Sequence, residues 1–311
     1  MSKNLAFVFP GQGSQKIGML SQLASVYATI EDTFLEASDT LGYDLWQLVQ
    51  SGSQEEINLT ERTQPILLAS SVAIWRLWQD RKGALPSQLA GHSLGEWSAL
   101  VCAGAVTFPD ALKIVRARGM YMQEAVPVGV GAMAAIIGLA DDAVLQACTD
   151  ARDDEVVDAV NFNAPGQVVI AGSAMAVARA INYCKAAGAK RALPLPVSAP
   201  FHTSLMESAA DRLRGLVADT PFVEPTIPVI HNVHAETESD PEKIKMLMLD
   251  QIAQPVKWVD CVLRLKSAGA DRLVECGPGK VLNGLSKRID RELISFATDD
   301  VENFENALLS V

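Results

Sequence analysis

The chain alternates between short unbroken apolar runs and longer stretches with helical spacing. Residues 5–9 are apolar throughout and stop at Pro10-Gly11, as a strand buried on both faces does. Residues 17–35 carry helical spacing, 67–78 read as a strongly apolar helix, and 83–86 as a loop. Gln88-Leu89-Ala90 ends a further strand. Residues 94–103 are rich in helix formers, with small residues at Ala99 and Ala103, and another helix runs from Asp110 to about Gln123. Strands that alternate with helices predict a mainly parallel sheet covered on both faces.

A different order begins near Gly129: strand 132–138, helix 141–151, strand 156–161, strand 167–171, helix 173–187 and strand 191–195. The turn Asn163-Ala164-Pro165-Gly166 joins the two middle strands as a hairpin. This βαββαβ order is that of a ferredoxin-like unit. The first pattern then resumes with a helix from Ser204, a strand at 229–230, helices at 241–252 and 258–267, and a strand at 272–276. The expectation is one large α/β domain, residues 1–128 and 199–311, interrupted by a small subdomain at 129–198.

With 311 residues, 49% hydrophobic and 20% charged, the chain can bury a sizeable core. The apolar run after Met1-Ser2-Lys3-Asn4 is too short for a signal segment or a membrane span, so a cytoplasmic protein without a membrane partner is expected. Five scattered cysteines without C-x-x-C spacing read as reduced thiols. A net charge of −11 argues against a nucleic-acid partner.

The chemistry begins at 89–100, "LAGHSLGEWSAL". Its G-x-S-x-G form, between a strand and a helix, is that of a turn exposing a nucleophilic serine. Gly91 and Gly95 flank Ser93 where a β-carbon would crowd the turn, and the N–H of Leu94 points toward any developing oxyanion. An ordinary Gly/Ser turn gives the same five letters. Among the four histidines, His92 adjoins Ser93, diverges from it on the turn, and reads as packed. His231 and His234, in "VIHNVHAET", form an H-x-x-H pair without a supporting helix and read as surface or loop residues. His202, in "PVSAPFHTSLM", sits at a loop-to-helix junction where the small unit rejoins the large one. It is either the base for Ser93 or a capping surface histidine. "FVFPGQGSQ" at 7–15 is a strand followed by a Gly-rich loop without the spacing of a dinucleotide fingerprint.

Together these stretches resemble the malonyl-CoA:acyl carrier protein transacylases of bacterial fatty acid synthesis, over nearly the whole chain. The matching residues are Phe9 to Gln15, Thr63-Gln64-Pro65, Gly91 to Glu96, Arg118-Gly119, Met122 to Ala125, Asn161-Phe162-Asn163, Phe201-His202 and Gly277 to Lys280. The resemblance implies an α/β-hydrolase-like core with a ferredoxin-like insertion. It implies Ser93 as the acylated nucleophile, His202 as base, and Gln251 as the residue whose backbone carbonyl orients His202. The N–H groups of Gln12 and Leu94 would form the oxyanion hole. Gln64, Asn163, Phe201 and Arg118 would bind substrate, and Trp97 replaces a tyrosine common in the family. Arg116 and Arg118 lie about 200° apart on their helix and so face different sides. The resemblance selects Arg118 to pair with a carboxylate, which implies a dicarboxylic acyl group. Malonyl-CoA and an acyl carrier protein are the implied partners of a monomeric ping-pong acyltransferase with no metal or bound cofactor. A serine thioesterase or esterase, with water as acceptor, is the rival reading.

Overall fold

The computed structural model describes residues 2–197 and 199–311. Strands β1 (Ser2–Phe9) and β2 (Pro86–Gly91) belong to one sheet. Strands β3 (Gly131–Ile137), β4 (Val157–Ala164), β5 (Gln167–Ser173) and β6 (Arg191–Pro194) form a second, and β7 (Val229–Ile230), β8 (Arg272–Glu275) and β9 (Ile294–Ala297) return to the first. The first sheet has the order β7-β2-β1-β8-β9 with every pairing parallel. The second has the order β4-β5-β3-β6 and is antiparallel.

The apolar run of β1 is explained by its two buried faces. Leu5, Phe7 and Phe9 join a core under helices Thr60–Asp80, Leu94–Cys102 and Phe108–Glu124, whereas Ala6 and Val8 join a core under Trp258–Ser267 and Val281–Ile289. Alternation therefore disappears from the sequence because neither face meets water. The antiparallel sheet is covered on one side by its own helices, Asp141–Ala151 and Ala174–Ala186. Its other side, through Met133, Val169 and Ala171, joins the large core. A backbone tie closes the junction: Val256 donates to the Val160 carbonyl at 2.8 Å, and Phe162 donates to the Val256 carbonyl at 3.0 Å.

The element order of the insertion is as the sequence predicts, and several boundaries differ for identifiable reasons. The helical spacing of 17–35 is broken: a short helix, Ser21–Ala24, is followed after Ser25-Val26-Tyr27 by Ala28–Leu41. The helix expected at 67–78 starts at Thr60: its polar first turn is itself largely buried, and Pro65 lies inside it. β4 runs on through Asn163 to Ala164, so the hairpin turn is shorter than the sequence suggests. The short helices Leu45–Ser51 and Gln54–Ile57 and strand β9 lack a periodic signal long enough to read, and the last helix, Val301–Ser310, is not among the expected elements.

The end of β2 is set by backbone contact. A β-carbon on Gly91 would lie 1.9 Å from the Gly95 carbonyl carbon, and one on Gly95 would lie 2.0 Å from the Phe9 oxygen. Gly91→Ala is therefore expected to destabilise the chain by about 3 kcal/mol or more, since backbone on both sides must move. Gly215, inside the exposed helix Glu207–Asp219 with nothing near its β-position, is the opposite case. Gly215→Ala is expected to stabilise by roughly 0.5–1 kcal/mol. Urea unfolding of both variants checks the pair, and equal shifts would remove the steric account of the turn.

Candidate active site

The site lies where the parallel strands end. Ser93 follows β2 directly and holds φ 51°, ψ −109°, an unfavourable conformation for a residue with a β-carbon. Three groups pin it there. His92 N–H donates to the Phe9 carbonyl at 3.0 Å, Ser93 N–H donates to Asn232 Oδ1 at 2.7 Å, and Asn232 Nδ2 donates to the Gly91 carbonyl at 2.7 Å. Asn232 thus clamps the turn from both ends. Helix Leu94–Cys102 begins at the next residue; Gly95 N–H donates to the His92 carbonyl at 2.9 Å and Glu96 N–H to the Ser93 carbonyl at 3.0 Å, which leaves the N–H of Leu94 as the first-turn donor beside Ser93.

His202 is brought to Ser93 from across the junction and also holds a left-handed backbone, φ 65°. Its Nε2 lies 2.8 Å from Ser93 Oγ and its Nδ1 lies 2.8 Å from the main-chain carbonyl of Gln251. A carbonyl can only accept, so Nδ1 carries the proton and the Nε2 lone pair faces the serine hydroxyl. Burial, with the charge of Arg118 acting in the same direction, pushes the His202 pKa down to about 3, and the bond to Gln251 opposes this. The imidazole is therefore neutral and able to accept a proton at any physiological pH.

Arg118 is 2% exposed. Its Nη1 donates to Gln64 Oε1 at 2.9 Å, and its Nη2 donates to Gln251 Oε1 at 2.8 Å and to Ser93 Oγ at 3.4 Å. Its Nε–H is buried without a partner, and the guanidinium makes no ion pair among the described residues. Burial lowers its pKa to about 10, opposed by the Glu96 carboxylate, so it stays charged at neutral pH. Arg116 faces elsewhere, as its helical phase requires: it donates to the Leu41 carbonyl and lies against Tyr43.

These groups surround a cavity of about 120 Å³. Gln12, Gln64, Ser93, Leu94, Arg118, Phe201 and His202 line it together with Met122, Met133, Leu195 and Val197. Gly11 brings the loop after β1 against the turn, since a β-carbon there would meet the His92 oxygen at 2.5 Å. Wider concavities elsewhere, such as the acidic one around Glu31, Asp39 and Asp44, hold no nucleophile and base together.

Two sequence expectations change. Asn163 does not line the cavity: its Oδ1 meets His92 Nε2 at 2.7 Å, one step behind the site, and Asn161 lines the cavity instead. The pairing of β4 with β5 is irregular on both sides of Asn161-Phe162, so Asn161 and Asn163 do not follow simple alternation. His231 is not a surface histidine. It is fully buried, with Nδ1 2.7 Å from Glu96 Oε1, while His234 is exposed as expected. Sequence reasoning also missed Glu96 and Asn232. Glu96 is part of the quoted motif and Asn232 adjoins His231 in "VIHNVHAET", but neither letter pattern signals burial.

A strand-turn-helix serine with a buried histidine and a buried guanidinium defines an acyl-transfer site. In agreement, the acyl transferase domain family matches residues 6–297, and the chain belongs to that family. The malonyl CoA-acyl carrier protein transacylase of Salmonella typhimurium is 53% identical over 303 residues, covering 97% of this chain and 98% of the relative. The structure of an acyl carrier protein S-malonyltransferase from Vibrio cholerae superposes with TM-score 0.96 at 56% identity, covering 97% of this chain and 99% of that one. A malonyl-transacylase solved in complex with a type II PKS acyl-carrier protein superposes with TM-score 0.98 at 51% identity, covering 99% and 100%.

The state of His202 has a direct readout. Sulfonylation of Ser93 by a small sulfonyl fluoride needs the neutral imidazole, so its rate is expected to stay level from pH 8 down to about 5. A fall centred in the ordinary histidine range, about 6 to 7, would show that His202 is not desolvated as described.

Proposed function

We propose that this chain transfers a malonyl group from malonyl-CoA to the phosphopantetheine thiol of an acyl carrier protein, through a malonyl ester of Ser93, and so supplies fatty acid synthesis. The observation that carries the reading is Arg118, a buried guanidinium without a carboxylate partner, 3.4 Å from Ser93 Oγ. A charge held out of water in this way needs an anion beside the reacting acyl group.

In the first half-reaction Ser93 Oγ bonds to the thioester carbonyl carbon while His202 Nε2 takes the hydroxyl proton. The oxyanion forms against the N–H groups of Leu94 and Gln12, and Gln251 holds the imidazole that becomes charged. Collapse breaks the carbon–sulfur bond, and His202 returns the proton to the sulfur of CoA. In the second, the carrier's thiol gives its proton to His202 and attacks the ester carbonyl, and Ser93 leaves with that proton. The main-chain carbonyl of Gln251 does the orienting that a triad carboxylate does elsewhere. Phe201, 9% exposed beside the base, narrows the space near the acyl α-carbon and favours malonyl over branched analogues.

We read residues 1–128 and 199–311 as an α/β-hydrolase-like core and 129–198 as a ferredoxin-like subdomain, on the strength of the βαββαβ order and the parallel sheet. Ser93, His202, Gln251 and Arg118 come from one chain, so the scheme needs no residue from a second copy. Five buried free thiols fit a cytoplasmic enzyme, and no helix among the described residues is long and apolar enough to cross a membrane.

For carrier docking, the sheet register brings two cationic pairs to one end of the small sheet. Arg191 and Gln167 both pair with Ile137, on opposite sides of β3, and Arg288 hydrogen-bonds Gln167 from helix Val281–Ile289. Lys190-Arg191 and Lys287-Arg288 are thus a few strand spacings apart and exposed, on a chain that is otherwise acidic.

Two measurements test the reading. Incubation with malonyl-CoA is expected to add one malonyl mass to the wild type and none to Ser93→Ala. Arg118→Ala is expected to cut the malonyl-to-acetyl ratio of loading kcat/KM by roughly 10²-fold or more, the equivalent of about 3 kcal/mol for an orphaned buried charge. An unchanged ratio, or malonyl release to water as fast as to carrier, would overturn the assignment. Separately, reversing the charges of Lys287 and Arg288 is expected to slow transfer to the carrier at low ionic strength while leaving loading from malonyl-CoA intact. Equal rates in both steps would place the docking surface elsewhere.

A further inference from the structure

Glu96 is a buried carboxylate that the acyl-transfer scheme does not use, one turn into the helix that starts at Ser93. Three donors converge on it. His231 Nδ1 lies 2.7 Å from Oε1, Asn232 N–H donates to Oε2 at 3.1 Å, and Gln251 Nε2 donates to Oε2 at 2.7 Å. Gln251 Nε2 also donates to the Ser93 carbonyl at 2.9 Å, and Gln251 Oε1 receives Arg118 Nη2. Glu96 is 0% exposed and Gln251 0% exposed.

We propose that Glu96 is a positioning residue for acyl transfer, which fixes the polarity of the Gln251 carboxamide and thereby the aim of Arg118 and the seat of His202. This deepens the acyl-transfer reading and rests on it. The argument is one of donors and acceptors. An ionised carboxylate only accepts, so the end of the Gln251 side chain that faces Glu96 must be its NH₂. Its carbonyl end is then turned to Arg118, which only donates. A reversed amide would oppose donor to donor at Arg118 and acceptor to acceptor at Glu96, both buried and unrelieved by water. The same residue's main-chain carbonyl receives His202 Nδ1, so an anchored Gln251 side chain also fixes that carbonyl.

Charge gives a second reason. Arg118 and Glu96 are separated by a single carboxamide, that of Gln251, so the guanidinium faces an acidic side chain at one remove. Glu96 opposes the effect of burial on Arg118. The negative charge a triad carries directly behind its histidine here sits one amide farther away. Gln251 passes its orienting effect forward without touching Arg118 with a carboxylate.

The test is Glu96→Gln in the full chain, followed by intact mass in quenched time courses with malonyl-CoA and acetyl-CoA, well below the variant's thermal midpoint. A glutamine keeps the volume but offers one acceptor atom where three donors converge. Loading kcat with malonyl-CoA is expected to fall ~10-fold or more, the scale of a modest misplacement of reacting groups, and the malonyl-to-acetyl ratio is expected to fall with it. Glu96→Asp, which keeps the acceptor character, is expected to recover the ratio better than the rate. A lowered midpoint with both kinetic quantities unchanged would mean that Glu96 serves only the fold, and would overturn the proposal.

If Glu96→Gln does not fold, Gln251→Met gives the same information. It deletes the carboxamide and keeps the main-chain carbonyl. Its malonyl-to-acetyl ratio is expected to fall and sulfonyl fluoride labelling of Ser93 to slow, because the carbonyl that seats His202 loses its anchor; an unchanged ratio overturns the proposal. A wild type that takes up no malonyl mass refutes the acyl-transfer reading instead. The role of Glu96 is then decided by sulfonyl fluoride labelling alone, where equal rates for wild type and Glu96→Gln would refute it.

Discussion

The site depends on an approach of backbone to backbone that leaves no room for a β-carbon. Gly95 lies against the end of β1 and Gly91 against Gly95, so helix Leu94–Cys102 starts almost on top of the strand ends. A single residue must reverse direction between them, and that residue is Ser93, held at positive φ. Such a conformation costs of order 1–3 kcal/mol and persists only where neighbours over-determine it. Asn232 on one side and the Phe9 carbonyl on the other do this. The same closeness brings Gln12 and Leu94 to one wall of the cavity, so the strain and the proposed oxyanion site have a common origin.

The second sheet completes what the first begins. Its inner face carries Met133 to the cavity, the Val256 backbone ties β4 to the large unit, and Asn163 takes the imidazole of His92. His92 is therefore a strut between the two sheets, which accounts for a half-buried histidine beside Ser93 without giving it a proton to move. Its own pKa is lowered by burial, consistent with a neutral ring in this role.

Much of this was legible from the letters, and the failures follow a rule. The βαββαβ order, the parallel strands, the Ser93 turn and the divergence of Arg116 from Arg118 depend on local periodicity and small residues, which the sequence displays. Glu96, His231 and Asn232 were misread or missed because a buried polar residue looks like a surface one until its partners are known. Asn163 was misplaced because the irregular register of β4 is not visible in the letters, and its side chain meets His92 where Asn161 lines the cavity. The last strand escaped because four half-buried positions are too few to show a period, whereas the last helix was overlooked although Val301, Phe304, Ala307 and Leu308 follow helical spacing.

The choice of residue at 251 joins the geometry to the chemistry. His202 is oriented by the main-chain carbonyl of residue 251, which a glutamate would supply equally well, so the side chain is decided by what else it meets. A carboxylate there would lie within hydrogen-bond distance of Arg118, where Gln251 Oε1 now sits at 2.8 Å. The guanidinium would then have a permanent counter-ion, and a carboxylate on the acyl group would find nothing left to neutralise. It would also lose its effect on the base, because the charge of Arg118 is, after burial, the next influence holding His202 low. With glutamine, that charge remains unanswered at the cavity. An acyl carboxylate that seats on it would relieve Arg118 and weaken its hold on His202, favouring the imidazolium at the step where the proton leaves Ser93. An acyl group without a carboxylate would fit the cavity and do neither.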